Sequence, residues 1–239
     1  MSAEMRTYVL IHGAWHGGWC WEATADHMRG QGHHVFAPTM IGLAERKHLL
    51  TPDIDLGVMI DDMVQYINDK ELNDIILVGH SFAGAVITGI ADQIPNKLHH
   101  LVYLDAAWLE NGQSIFDTME PEAVSRRVRL ANSYSNGLSI PPPPVKAFGV
   151  NDASLANYLE ERLTPHPVAG YSCKLKLNNL EMNGVKADYI YCTEPTYKPL
   201  RPTRESIARI RMKMHALPAP HGAMITHPIE TAKMILELG

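Results

Sequence analysis

Short apolar runs alternate with amphipathic stretches through the first hundred residues of the chain. Residues 8–12, Tyr8 to His12, form a β-rich run that breaks at Gly13; residues 33–37 form a second, stopped by Pro38. Between them, residues 19–30 have helical spacing, with Gly30 and Gly32 as stop signals. Apolar positions Met59, Ile60, Met63, Val64 and Ile67 recur at i, i+3, i+4 and predict a helix over 56–72. A strand is expected at 75–78, a helix at 83–94 closed by Pro95, and a strand at 98–104. Near-continuous apolar strands separated by helices predict a mostly parallel sheet covered on both faces.

The alternation then breaks. Residues 107–186 are irregular, with Pro141-Pro142-Pro143-Pro144 between helical pieces near 121–130 and 155–162. The reading is an inserted cap without an independent core, so the core comprises residues 1–106 and 187–239. The core resumes with a strand at 187–192, a short helix at 206–212, a last strand at 213–217 and a last helix at 229–238 led by Pro228. Residues 39–53 read as a loop.

Composition narrows the class. The chain has 239 residues, 46% hydrophobic residues and a formal net charge of −5. No run of basic residues suggests nucleic acid as a partner. No apolar segment approaches the ~20 residues that span a bilayer, and no signal peptide is evident, so neither membrane nor secretion is expected. Cys20, Cys173 and Cys192 are odd in number and widely spaced, which fits a reducing compartment and a soluble, cytoplasmic protein. A homodimer is compatible with everything in the sequence.

The chemistry concentrates at Ile75-Ile76-Leu77-Val78-Gly79-His80-Ser81-Phe82-Ala83-Gly84. A strand ending in glycine, a serine two residues on, and small residues opening a helix describe the nucleophile elbow of an α/β-hydrolase, with Ser81 at the corner. The second glycine of G-x-S-x-G is Ala83 here, with Gly84 one place later. A serine nucleophile needs a base and a group that orients the base. His221, in the loop after the last strand, is placed to be that base; His215 lies within the strand, and His227 precedes Pro228 as a helix-start residue. Two carboxylates end strands and could orient the imidazole: Asp105 and Glu194. The Phe82 N–H, next to the nucleophile, and the Ala14 N–H, in the glycine-rich loop after the first strand, are the candidate oxyanion donors. Trp15, His16 and Trp108 are candidate substrate contacts. Trp19 and Trp21 fall in a helix, where core packing is the simpler reading. No H-E-x-x-H or paired C-x-x-C occurs, His12 and His16 flank a glycine turn, and G-x-G-x-x-G is absent, so no metal and no cofactor is expected.

The blocks His12-Gly13-Ala14-Trp15-His16-Gly17-Gly18-Trp19-Cys20-Trp21, Gly79-His80-Ser81 and the His221 loop resemble the small-esterase branch of α/β-hydrolases. That branch holds plant methylesterases, hydroxynitrile lyases and bacterial carboxylesterases. The resemblance runs from about residue 8 to 238 and is weakest in the cap. It implies an apolar pocket for small esters under a cap, with oxyanion donors at Ala14 and Phe82. Lyases of this branch carry a threonine at the place of Gly13 and a lysine at that of Gly222, which disfavours lyase chemistry here. Plant members place the acid where this chain has Pro195; bacterial relatives are similar around Tyr103-Leu104-Asp105-Ala106, which tips the choice toward Asp105. The resemblance also brings in methyl carbamates of aromatic heterocycles as a substrate class. A lactonase and a ligand receptor without turnover are the rival expectations on the same fold.

Overall fold

The computed structural model describes residues 4–239. In chain order the strands are β1 (Thr7–Ile11), β2 (His34–Phe36), β3 (Ile75–His80), β4 (Leu98–Leu104), β5 (Ser139–Ile140), β6 (His166–Pro167), β7 (Lys186–Cys192) and β8 (Lys213–Leu217). The α-helices are α1 (Glu22–Gly30), α2 (Leu56–Asp69), α3 (Ala83–Gln93), α4 (Pro121–Ser135), α5 (Ala153–Glu160), α6 (Val168–Ser172), α7 (Arg201–Arg209), α8 (Ala223–Thr226) and α9 (Pro228–Leu238). Six strands form one sheet in the order β2-β1-β3-β4-β7-β8, and every adjacent pair is parallel. The expected α/β fold, a parallel sheet flanked by helices, is the one observed.

Period-two alternation splits each strand between two cores. Val9, Ile11, Leu77, Leu101 and Tyr103 face the side covered by α2 and α3. Tyr8, Leu10, Ile76, Val78, Val102 and Leu104 face the side covered by α1 and α9. Burial of both faces explains why the strands read as unbroken apolar runs.

Differences from the sequence expectations have local causes. The helix expected from residue 19 starts with a 3-10 turn, Gly18–Trp21, before α1. The loop 39–53 contains another, Ala44–Leu49. The helix expected at 206–212 is α7, about five residues earlier: Pro202 in its first turn presets the helical φ, and Arg211 at φ 58° ends it. The segment between β4 and β7 carries α4, α5, α6 and the small antiparallel pair β5-β6, outside the main sheet. It is tied to the core by specific bonds. Trp15 Nε1–H donates to the Ile140 carbonyl (3.0 Å), the Thr164 N–H to the Trp15 carbonyl (2.9 Å), and the Gly222 N–H to the Phe148 carbonyl (2.9 Å).

Candidate active site

Ser81 follows β3 directly and precedes α3, with φ at 54°. A non-glycine residue in the left-handed region costs about 1–2 kcal/mol and persists only where the surroundings impose it. Here they do: the Ser81 N–H donates to Leu104 O (3.2 Å), and the Ser81 carbonyl accepts from Gly84 N–H (3.1 Å) and Ala107 N–H (2.8 Å). Gly84 explains the shifted glycine of the motif. A Cβ there would collide with the Ala107 carbonyl, so the tight approach of α3 falls on position 84, and Ala83 is tolerated.

His221 lies in the loop after β8 and is 3% exposed. Its Nδ1 is 2.7 Å from Asp105 Oδ2, and its Nε2 is 3.0 Å from Ser81 Oγ. Facing a carboxylate, Nδ1 carries the proton, so Nε2 is the acceptor for the serine hydroxyl. Asp105 is fully buried just beyond β4, turned inward by a backbone with φ at 38°. Its N–H donates to Ile190 O (2.7 Å), and its Oδ1 is 3.4 Å from the Cys192 N–H and 3.7 Å from Arg204 Nη1. The other candidate acid is elsewhere. The Glu194 N–H donates to Ala219 O (3.1 Å), while the residue itself is exposed to solvent.

Two buried amides border Ser81. Phe82 and Ala14 are each 3% exposed, and neither N–H meets a protein acceptor among the described residues. The Ala14 loop is pressed against the elbow: a Cβ on Gly13 would stand 2.9 Å from Ser81 Cβ. Buried N–H groups left open beside a nucleophile form an anion-accepting corner.

Several histidines frame the site and are kept neutral by burial. His12 Nδ1–H donates to Gly13 O (2.8 Å), and its Nε2 accepts from Met40 N–H (3.0 Å). Burial lowers its pKa to about 3. His16 Nδ1–H donates to Ala14 O (2.8 Å), with its pKa lowered to about 4 for the same reason. His80 Nε2–H donates to the His221 carbonyl (2.8 Å), and burial together with the nearby imidazoles pushes its pKa well below the usual histidine value.

The proposed substrate contacts are all buried but have different ring neighbours. Trp15 and His16 both reach Phe148, with ring centroids 6.1 and 5.0 Å away, and Trp15 also neighbours Tyr171 at 6.0 Å. Trp108 packs edge-on to Tyr103 (5.5 Å), and its backbone N–H faces Thr203 Oγ1 at 3.5 Å; like Trp15 it belongs to the core on the α2 and α3 side of the sheet. Trp21 is fully buried against His80. Sequence reasoning passed over Tyr197, whose ring lies flat on His221 at 3.9 Å and 10°. It also missed Arg204, which reaches Asp105 while its Nη2–H donates to Tyr197 O (3.1 Å). Nothing local in the sequence marks either residue; only the crossing of chain segments brings them there.

Comparison with known proteins follows the same lines. The family model described as "Alpha/beta hydrolase family" matches residues 8–233. A carbendazim hydrolyzing esterase of Nocardioides sp. (strain SG-4G) is 34% identical over 244 residues, covering 98% of this chain and 100% of that protein. A putative chloroplastic methylesterase 15 of Arabidopsis thaliana is 27% identical over 214 residues; the match covers 82% of this chain and 47% of that longer protein. Among solved structures, an extracellular alpha/beta-hydrolase from a Paenibacillus species superimposes with a TM-score of 0.86 at 26% identity, covering 98% of this chain and 99% of that one. That structure is described as sharing structural and functional homology with tobacco Salicylic Acid Binding Protein 2. Among the described residues, no helix is long and apolar enough to cross a membrane.

Proposed function

The chain belongs to the alpha/beta hydrolase family and is an esterase-type enzyme, and from that premise we propose that it is a serine hydrolase cleaving small carboxylic or carbamic esters through an acyl-enzyme. The observation that carries the reading is the continuous hydrogen-bonded chain from Ser81 Oγ through His221 to buried Asp105. In this reading His221 Nε2 takes the hydroxyl proton as Ser81 Oγ attacks the carbonyl carbon. The negative charge that builds on the carbonyl oxygen is met by the Phe82 and Ala14 N–H groups. The imidazolium, held by Asp105, then gives its proton to the departing alkoxide. A water deprotonated by the same nitrogen attacks the acyl carbon and frees the serine. No cofactor enters any step.

Gly13 and Gly222 support hydrolysis over cyanohydrin cleavage. The space at Gly13 is already filled by Ser81 and His80, and Gly222 offers no cation beside His221. The carbamate half of the proposal draws on the Nocardioides relative; the carboxylic half draws on the methylesterase relatives. The segment 107–186 is, in this reading, the cap that closes the acyl pocket. The test is p-nitrophenyl acetate followed by stopped flow. A burst of p-nitrophenol stoichiometric with enzyme, followed by turnover, is expected. Serine→alanine at position 81 should abolish both. Binding of esters without any turnover by the wild type refutes the proposal and leaves a receptor on the same scaffold.

A further inference from the structure

Between α4 and the loop leading into α7 lies a cleft of about 790 Å³. Each of its walls leads toward the candidate site through an aromatic ring. On the cap side, Thr118 and Met119 follow Phe116, whose ring is 5.6 Å from Tyr171, and Tyr171 stacks on Phe82 at 5.6 Å. On the core side, Thr196 and Lys198 flank Tyr197, the residue stacked on His221. Tyr171 and Tyr197 are thus the rings that stand between the neighbourhood of this cleft and, respectively, Phe82 and the imidazole.

Its charge runs against that of the chain. The protein carries a formal net charge of −5, yet this cleft is lined by Arg126, Arg127, Lys198, Arg201 and Arg204 against one carboxylate, Glu120. Arg204 is engaged with Asp105, and Arg201 pairs with Glu205 at 3.5 Å. Among the described residues, Arg126, Arg127 and Lys198 have no carboxylate within 4.0 Å. Arg127 is only half-exposed, and its charge reaches both tyrosines: it opposes the rise that burial imposes on the Tyr171 and Tyr197 hydroxyl pKa values. The rest of the lining is the apolar Met119, Ala123, Pro199 and Pro202 together with the hydroxyl-bearing Thr118 and Thr196. Unpaired cations over an apolar floor complement an amphipathic anion, and a cleft lined by one sign of charge concentrates the opposite sign.

We propose that this cleft receives a free carboxylate carried by the substrate, so that the preferred substrates are half-esters: compact molecules with one ester to be cleaved and one anionic group held by Arg127 and Lys198. The proposal rests on the esterase reading for its orientation, and its test is separable from that reading. The probes are monomethyl terephthalate and methyl 4-carbamoylbenzoate, which differ by a carboxylate against a near-isosteric neutral amide. Calorimetric titration of Ser81→Ala protein measures binding without turnover. The half-ester should bind about tenfold more tightly at low salt, the worth of one charge-assisted hydrogen bond in a partly open site. The advantage should shrink as salt rises and fall to about twofold or less when Arg127→Gln and Lys198→Gln are added, with circular dichroism confirming that the variant is folded. Equal binding of the two probes, binding of neither, or an advantage that survives the two substitutions overturns the proposal. Hydrolysis of the neutral ester by the wild type alongside equal binding would leave the esterase reading standing and this inference fallen. A clear preference for the anion with no hydrolysis by the wild type would do the reverse.

Discussion

Moderate acid should unfold this protein through histidines that do not react. His12, His16, His80 and His166 are each at most 1% exposed. Burial lowers the pKa of His12 and His166 to about 3 and of His16 to about 4, and drives that of His80 well below its usual value. His166 is the extreme case, because neither ring nitrogen has a hydrogen-bond partner; its ring rests on Phe82 at 4.5 Å. The folded values lie below the unfolded value of about 6.5, so the unfolded chain binds more protons. The stability these groups confer is therefore complete above about pH 6.5 and drains away as pH falls toward the folded values. Each loses about 1.4 kcal/mol between about pH 7.5 and 5.5, and the four together lose about 5 kcal/mol. That is a large part of the roughly 5–15 kcal/mol available to a domain. The lowered carboxyls of Asp92 and Asp117 act in the same direction only in stronger acid, below about pH 4, whereas His33 and His100, also lowered by burial, add to the effect inside the window. Urea unfolding monitored by tryptophan fluorescence at several pH values measures the slope. Uptake of at least about three protons on unfolding near pH 5.5 is expected, reduced by about one in His166→Leu. Stability that is flat from pH 7.5 to 5.5 would mean these imidazoles are charged or hydrated in the folded state, and the reasoning from burial would fail.

Two further expectations concern the site. Asp105→Asn should lower kcat by roughly 10⁴-fold, because the amide favours the wrong imidazole tautomer, while Glu194→Gln should stay within about twofold; reversed outcomes in ester turnover would move the orienting role to Glu194. Tyr197→Ala removes the ring stacked on His221 and should lower kcat by about threefold to tenfold, the worth of one aromatic contact, with Tyr197→Phe retaining most activity; equal losses in both variants would assign the effect to the hydroxyl.

The helices and strands of the core were legible because burial on both sheet faces leaves near-continuous apolar strands, and one-sided burial leaves a 3.6-residue stripe on helices such as α2. Ser81 and His221 were legible because one sits in a local motif and the other follows the last strand. The acid was not. Asp105 and Glu194 both end strands, and what separates them is backbone direction. A left-handed turn at 105 aims one carboxylate inward, whereas Glu194 is left facing solvent. Trp108 was a candidate contact from its place in the sequence; its ring packs edge-on to Tyr103, a contact that no local pattern marks. Tyr197, Arg204 and the basic cleft were invisible because their members come from α4 and from the loop and first turns of α7 some seventy positions later; the run Arg126-Arg127-Val128-Arg129 in α4 says nothing by itself of the second wall.

The three bonds from Ile140, Phe148 and Thr164 to Trp15 and Gly222 have a practical bearing on engineering. They run from the segment between β4 and β7 into the two loops that carry Ala14 and His221. Transplanting that segment from a cousin to change selectivity would also transplant, or sever, the sutures that hold those loops in register. A graft that keeps residues 140, 148 and 164 at their present spacing should preserve turnover while changing what is accepted. One that discards them should lose rate on every ester alike.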